Sequence, residues 1–189
     1  MKIGFAMCGS FCTFDAVFRE LERFTQVFPD VVPILSEISA TVDSRFGTAE
    51  EHRNRITVLC GCRPLLKISE VEPVGPKALL DLLVIAPCTG NTLGKMAAGI
   101  TDSVVTMAAK AQLRNERPVL VAVSTNDGLG ASGKNIMELM NRRNLYFVPF
   151  GQDDPTGKPQ SLKADMTRIT EAAQAALERR QLEPVLIEQ

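Results

Sequence analysis

Apolar positions along the chain fall into short continuous runs, separated by stretches of helical period. Lys2 to Met7 predicts a buried strand, followed by the small-residue turn Cys8-Gly9-Ser10 and a run in which Val17, Phe18, Leu21, Phe24 and Phe28 recur near helical spacing. Val31 to Leu35 predicts a second strand that leaves Ser36 at its carboxyl end, and the pattern from Ser36 to Arg45 is indefinite. Thr48 to Leu59 predicts a helix, with Thr48 as N-cap and Glu51 completing a capping box. Pro64 to Pro76 has no period and reads as a connection with a short strand around Leu66 to Ile68.

The second half repeats the alternation. Leu79 to Ala86 and Pro118 to Val123 predict strands whose unbroken apolar character suits burial on both faces of a parallel sheet. Helices are expected over Asn91 to Ala98, Ser103 to Leu113 and Lys134 to Arg143. Then come a strand at Tyr146 to Val148, a polar loop from Gly151 to Pro159, and a long helix near Leu162 to Arg180. Strand and helix in alternation with short joins imply an α/β fold. The expected form is a single domain over 1–189, a three-layer α/β/α sandwich around a Rossmann-like, open, mostly parallel sheet. In such sheets ligands bind at the carboxyl ends of strands, near a topological switch point.

Charge and composition narrow the function. Lys and Arg number 21 against 22 Asp and Glu, so no strong net field draws in a polyanion or an anionic membrane. There is no Trp and one Tyr, and the nine Phe are expected in the core, which argues against a base-stacking surface. No apolar stretch approaches the roughly 20 residues needed to cross a bilayer. The opening run is too short for a secretory leader, so a cytoplasmic location is expected. Five cysteines, an odd count, favour reduced thiols. Cys8 and Cys12 have an acceptable zinc spacing but Cys60-Gly61-Cys62 does not, so no metal is expected.

Three strand-end loops carry small, hydroxyl or amide residues straight into helices: Gly9-Ser10-Phe11-Cys12-Thr13, Pro87-Cys88-Thr89-Gly90-Asn91-Thr92 and Ser124-Thr125-Asn126-Asp127-Gly128. In a doubly wound sheet they open on one edge, where helix N-terminal amides attract a phosphate or carboxylate. The same residue types are ordinary N-caps, so each loop alone reads first as an end-capping device. The first loop has neither the glycine triplet of a dinucleotide fingerprint nor a Gly-Lys-Ser/Thr ending. The sole histidine, His52, falls among charged residues and is expected in solvent rather than in catalysis.

The order of these motifs resembles the flavoprotein family of homo-oligomeric flavin-containing cysteine decarboxylases. Gly9-Ser10, Ser36, Pro87 to Thr92 followed by Lys95 to Ser103, and Asn126 carry the likeness, with Pro87, Asn91 and Thr92 retained from a Pro-Ala-Ser-Ala-Asn-Thr motif and Cys88, Thr89 and Gly90 as departures. Further strings look like the family of B subunits of bacterial dipicolinate synthase. These are Gly9-Ser10 with Cys12-Thr13, Arg45-Phe46-Gly47, Met107 to Ala111, Ser124 to Asp127 and Phe150 to Pro155. The resemblance implies a flavodoxin-like fold. It also implies a partner that carries NADP, the A subunit of dipicolinate synthase, and joint oxidation of a dihydrodipicolinate-type intermediate to pyridine-2,6-dicarboxylate during sporulation, in the mother cell. A homo-oligomer within a hetero-oligomer is expected. The implied site comprises Gly9, Ser10, Phe11, Cys12, Thr13, Ser36, Pro87, Thr89, Asn91, Thr92, Ser103, Ser124, Thr125 and Asn126. It would take the phosphate of FMN or a dicarboxylate substrate, and an anion-ready cradle does not separate the two. The decarboxylases use a histidine near the first helix as base, and none is expected there in this chain. A non-catalytic chain that supports its partner is the third alternative. For partner contact the candidates are the Phe150 to Pro159 loop and the tail from Leu182 to Ile187, which could instead dock on its own domain.

Overall fold

The computed structural model describes residues 1–188; Gln189, the last residue of the expected domain, lies outside the described residues. Seven strands form one sheet: β1 (Lys2–Met7), β2 (Asp30–Leu35), β3 (Leu82–Cys88), β4 (Val119–Thr125), β5 (Leu145–Phe147), β6 (Phe150–Asp154) and β7 (Lys158–Ala164). Their order is β2-β1-β3-β4-β7-β6, with β5 also on β4. The first five pair in parallel. β5 lies along Val119 to Val121 of β4, and β7 takes over antiparallel at Ser124 and Thr125.

Every residue of β3 is buried, and all of β4 except Thr125 at its end, as their unbroken apolar sequences require of central strands. The chain leaves β1 for β2 on one side and reaches β3 on the other, so a crevice opens between the carboxyl ends of β1 and β3.

The helices are α1 (Phe14–Val27), α2 (Glu37–Thr41), α3 (Ala49–Cys60), α4 (Ile68–Val71), α5 (Val74–Lys77), α6 (Gly90–Ala97), α7 (Val104–Arg114), α8 (Gly133–Met140) and α9 (Ile169–Leu177). On α1 the apolar stripe Val17, Phe18, Leu21 and Phe24 is buried, and α9 packs beside it. On the other face α7 lies over β2, β3 and β4, flanked by α6 and by α4 and α5, while α8 packs against α6. This is the expected open, mostly parallel flavodoxin-like sheet between helical layers.

Several local expectations are corrected. The indefinite stretch after Ser36 is a short helix, α2, because Ser36 caps it by accepting from the Ser39 amide. Near Leu66 there is a single bridge, Leu65 to Ile34, and the rest of the connection is α4 and α5. The polar segment Gly151 to Pro159 is mostly hairpin rather than loop, and the long final helix is shorter, because Leu162 to Ala164 complete β7 and α9 begins only at Ile169. The tail takes the second of its two expected placements and docks on its own domain: the Phe150 amide donates to the Val185 carbonyl and the Ile187 amide to that of Phe150.

His52 is buried, not solvated. It sits inside the first turns of α3, whose capping box at Thr48 and Glu51 is formed as expected, and only 6% of it is exposed. Its ring is enclosed by Phe11, Phe14 and Phe18, with centroids 6.2, 4.8 and 6.0 Å away. Burial moves its pKa below the ordinary value, against an opposing pull from Glu51. The buried positions of α3, Ala49, His52 and Ile56, keep a helical period that the charged neighbours obscure.

Candidate functional site

Three loops at the carboxyl edge of the sheet meet in one cleft of about 730 Å³. The first leaves β1 and makes a 3-10 turn over Phe11 to Thr13 before α1. Ser10 would be the natural cap of that turn, but its side chain makes no cap bond and reaches across to Ser124, hydroxyl to hydroxyl, at 2.8 Å. The Thr13 hydroxyl donates back to the Ser10 carbonyl at 2.7 Å and fixes the turn. Without a capping side chain, the leading amides of the turn remain for a ligand.

The second loop leaves β3. Thr89 caps α6 by accepting from the Thr92 amide, so the amides of Gly90 and Asn91 have no partner within the helix. Gly90 lies against the third loop: a Cβ there would come within 2.5 Å of the Ser132 hydroxyl and 2.6 Å of the Thr125 hydroxyl, so only glycine lets these loops meet. In the third loop, after β4, Thr125 donates to the Asp127 carboxylate. That bond and a second from Ser132 hold the Asp127 carboxyl below the usual range.

Of the residues expected at the site, Gly9, Ser10, Phe11, Cys12, Thr13, Thr89, Asn91, Ser124, Thr125 and Asn126 line this cleft. Ser36, Pro87, Thr92 and Ser103 do not. The Ser36 hydroxyl is committed to capping α2 and to Ser39, Pro87 is buried in β3, and the buried Thr92 hydroxyl donates to the Cys8 sulfur at 3.3 Å. Ser103 caps α7 and borders a separate groove with Glu37, Arg53 and Lys67. Beneath the cleft Cys8 and Cys88 are both buried, and burial above all holds the Cys88 thiol well above its ordinary pKa. Among the described residues no group of three His, Cys, Asp or Glu side chains is placed to hold a metal, and no helix is long and apolar enough to cross a membrane.

Two further segments complete the wall. The turn after α2 contributes Ser44, Arg45 and Phe46, with the Arg45 guanidinium 4.8 Å from the centre of the Phe46 ring. The hairpin contributes Asp153, Lys158, Ser161 and Lys163. A register shift between Gln152 and Asp154 interrupts the ladder beside Asp153, whose carboxylate accepts from both Lys163 and, at 3.0 Å, Lys158. These two lysines keep the Asp153 carboxyl below its ordinary pKa. Three cations thus converge with two carboxylates on a cleft whose floor presents helix N-termini, an arrangement that favours an anion.

Comparison with known proteins agrees with this architecture. A family model described as flavoprotein matches residues 8–173. The B subunit of dipicolinate synthase from Bacillus subtilis (strain 168) is 44% identical over 187 residues, covering 99% of this chain and 94% of that protein. The crystal structure of the dipicolinate synthase B subunit from Bacillus halodurans C superposes with a TM-score of 0.89 at 45% identity, covering 100% of this chain and 96% of that one. The FMN-dependent cysteine decarboxylase SpaF shares the fold, with a TM-score of 0.66 at 20% identity over 95% of this chain and 97% of its own. The chain belongs to the flavoprotein family, alongside the B subunits of Bacillus dipicolinate synthase.

Proposed function

We propose that this chain works as the B subunit of a dipicolinate synthase, using the cleft to hold an anionic group while a nicotinamide-binding A subunit takes part in oxidising a dihydrodipicolinate-type substrate. The observation that carries the proposal is the convergence of unspent amides at Phe11, Cys12, Gly90 and Asn91 in one cleft. Identity of 44% across almost the whole chain to a named B subunit supports the choice of reaction.

The residues present fit FMN. The cleft is large enough for a flavin mononucleotide, and Gly9, Ser10, Cys12 and Thr13, with Thr89 and Ser124, form a small-residue cradle around the Phe11 backbone that leaves amides open to a phosphate. FMN, when bound, supplies a two-electron acceptor. Asn91, Thr125 and Asn126 offer amide and hydroxyl groups beside that cradle to orient a ring system or a carboxylate. Ser36 and Thr92 support the loops from behind through their bonds to Ser39 and Cys8. Ring oxidation removes two electrons and two protons from the dihydropyridine; oxidised NADP on the partner would take up the two electrons with one proton, and the second proton would go to solvent. The working assembly in this reading is a cytoplasmic homo-oligomer inside a hetero-oligomer.

The test is reconstitution with the A subunit, freshly generated dihydrodipicolinate and NADP, omitting each of the two proteins in turn and adding or withholding FMN. Dipicolinate formation that needs both proteins is the expected result. Full turnover by the partner on its own would reduce this chain to an accessory of assembly.

A further inference from the structure

The cleft has two chemically different halves. Its floor is made of hydroxyls, helix amides and one carboxylate, Asp127, which Thr125 engages. Its outer wall, from the turn after α2 and the β6–β7 hairpin, is aromatic and cationic. Phe46 is 43% exposed, in a chain whose other phenylalanines are buried or packed on the core, and Arg45 lies over its ring. Among the described residues Arg45 forms no ion pair with a carboxylate. On the hairpin side Asp153 is the most buried member of its trio and holds Lys158 and Lys163 together at the cleft.

Resting on the function proposed above, we infer that this outer wall is a second subsite, distinct from the phosphate-binding floor, which recognises a planar ring bearing two carboxylates. Phe46 offers a ring face for stacking, and Arg45 a flat fork of donors that matches one carboxylate. Lys158, tethered by Asp153 yet exposed, offers a point charge for the other. A flavin ring could also use the aromatic platform, but its one phosphate is served by the floor amides, which leaves the two cationic groups of this wall for a ring that carries two carboxylates. The combination selects a planar dicarboxylate.

The positions of these parts have a structural cause. Gly47 closes the Arg45–Phe46 turn at φ +126°, a conformation that favours glycine, and His52 lies directly beneath it. The His52 ring in turn packs against Phe11 of the cleft floor. The aromatic wall and the floor loop are therefore braced against one buried side chain.

Calorimetric titration of the full chain with pyridine-2,6-dicarboxylate, benzene-1,3-dicarboxylate and benzoate, each with and without saturating FMN, tests the inference. Expected are binding of both dicarboxylates, weaker binding of benzoate, and retained binding in the presence of FMN. Arg45→Gln and Phe46→Leu should each weaken the dicarboxylates about tenfold or more, as loss of a charge-assisted pair or a stacking face implies. FMN affinity should stay within about twofold. Absence of dicarboxylate binding, undiminished binding by both variants, or displacement of the dicarboxylate by FMN would overturn it. If FMN fails to bind while the dicarboxylates still respond to Arg45→Gln, the cofactor part of the proposed function fails and the subsite stands.

Discussion

His52 offers the sharpest test of how the cleft is built. Its Nε2 is buried with no hydrogen-bond partner among the described residues, inside a cage of Phe11, Phe14 and Phe18. Replacing it by leucine removes an unsatisfied polar atom, a gain of about 1–3 kcal/mol, and loses aromatic contacts of roughly 0.5–1.5 kcal/mol each. These terms oppose one another, so His52→Leu should change stability little at pH 7.5. At lower pH the two proteins should part. The unfolded chain takes up a proton on His52 near pH 6.5, whereas burial keeps the folded ring neutral to lower pH. Between those two values the unfolded state holds more protons, so wild-type stability falls with pH by up to about 1.4 kcal/mol per unit, and by at most about 2 kcal/mol at pH 5. The variant lacks that loss. Carboxylate titrations are common to both proteins and cancel in the difference. Urea unfolding at pH 7.5, 6 and 5 should therefore show His52→Leu gaining on the wild type as pH falls. A constant gap across that range would refute the picture of a neutral, caged imidazole.

Three other outcomes follow from the same structure. Gly47→Ala should destabilise by about 1–3 kcal/mol in thermal or urea unfolding, because alanine is strained at that φ and its Cβ would fall 2.9 Å from the His52 ring. Glu70 accepts the Leu66 and Lys67 amides and pairs with Arg63, which holds its carboxyl at about 2. Glu70→Gln should lower stability at neutral pH, and the deficit should close as pH falls from about 4.5 toward 2, since the wild type loses the contribution on protonation. Iodoacetamide at pH 8 followed by mass spectrometry should label exposed Cys12 first. Cys8 and Cys88 are shielded by burial, and Cys60 is protected because burial pushes its thiol up to about 12.

How far the sequence reveals this structure depends on what hides each signal. β1, β3 and β4 are legible because strands buried on both faces read as unbroken apolar runs, and α3 because its capping box is local. The β6–β7 hairpin is not legible. Its outer half is exposed, Pro159 and Gly157 resemble loop residues, and the apolar end Leu162 to Ala164 runs on toward α9 without a clear break. The same hairpin explains what is missed at the site. Cap-like residues announce the three floor loops, whereas Arg45, Lys158 and Lys163 come from distant segments that only the folded chain brings together. A near-zero net charge conceals that convergence. His52 is misread for a related reason: the charges beside it occupy the outer face of α3, while its own spacing with Ala49 and Ile56 points inward.

The central claim is that the cleft floor takes part in turnover rather than merely stabilising an assembly. Asn91→Ala tests it most directly, because Asn91 is exposed at the head of α6, with little packing to lose. In the reconstituted pair the variant should form the complex with unchanged size-exclusion behaviour while dipicolinate formation drops at least tenfold. Wild-type turnover by an intact Asn91→Ala complex would contradict the claim and leave the chain a structural component.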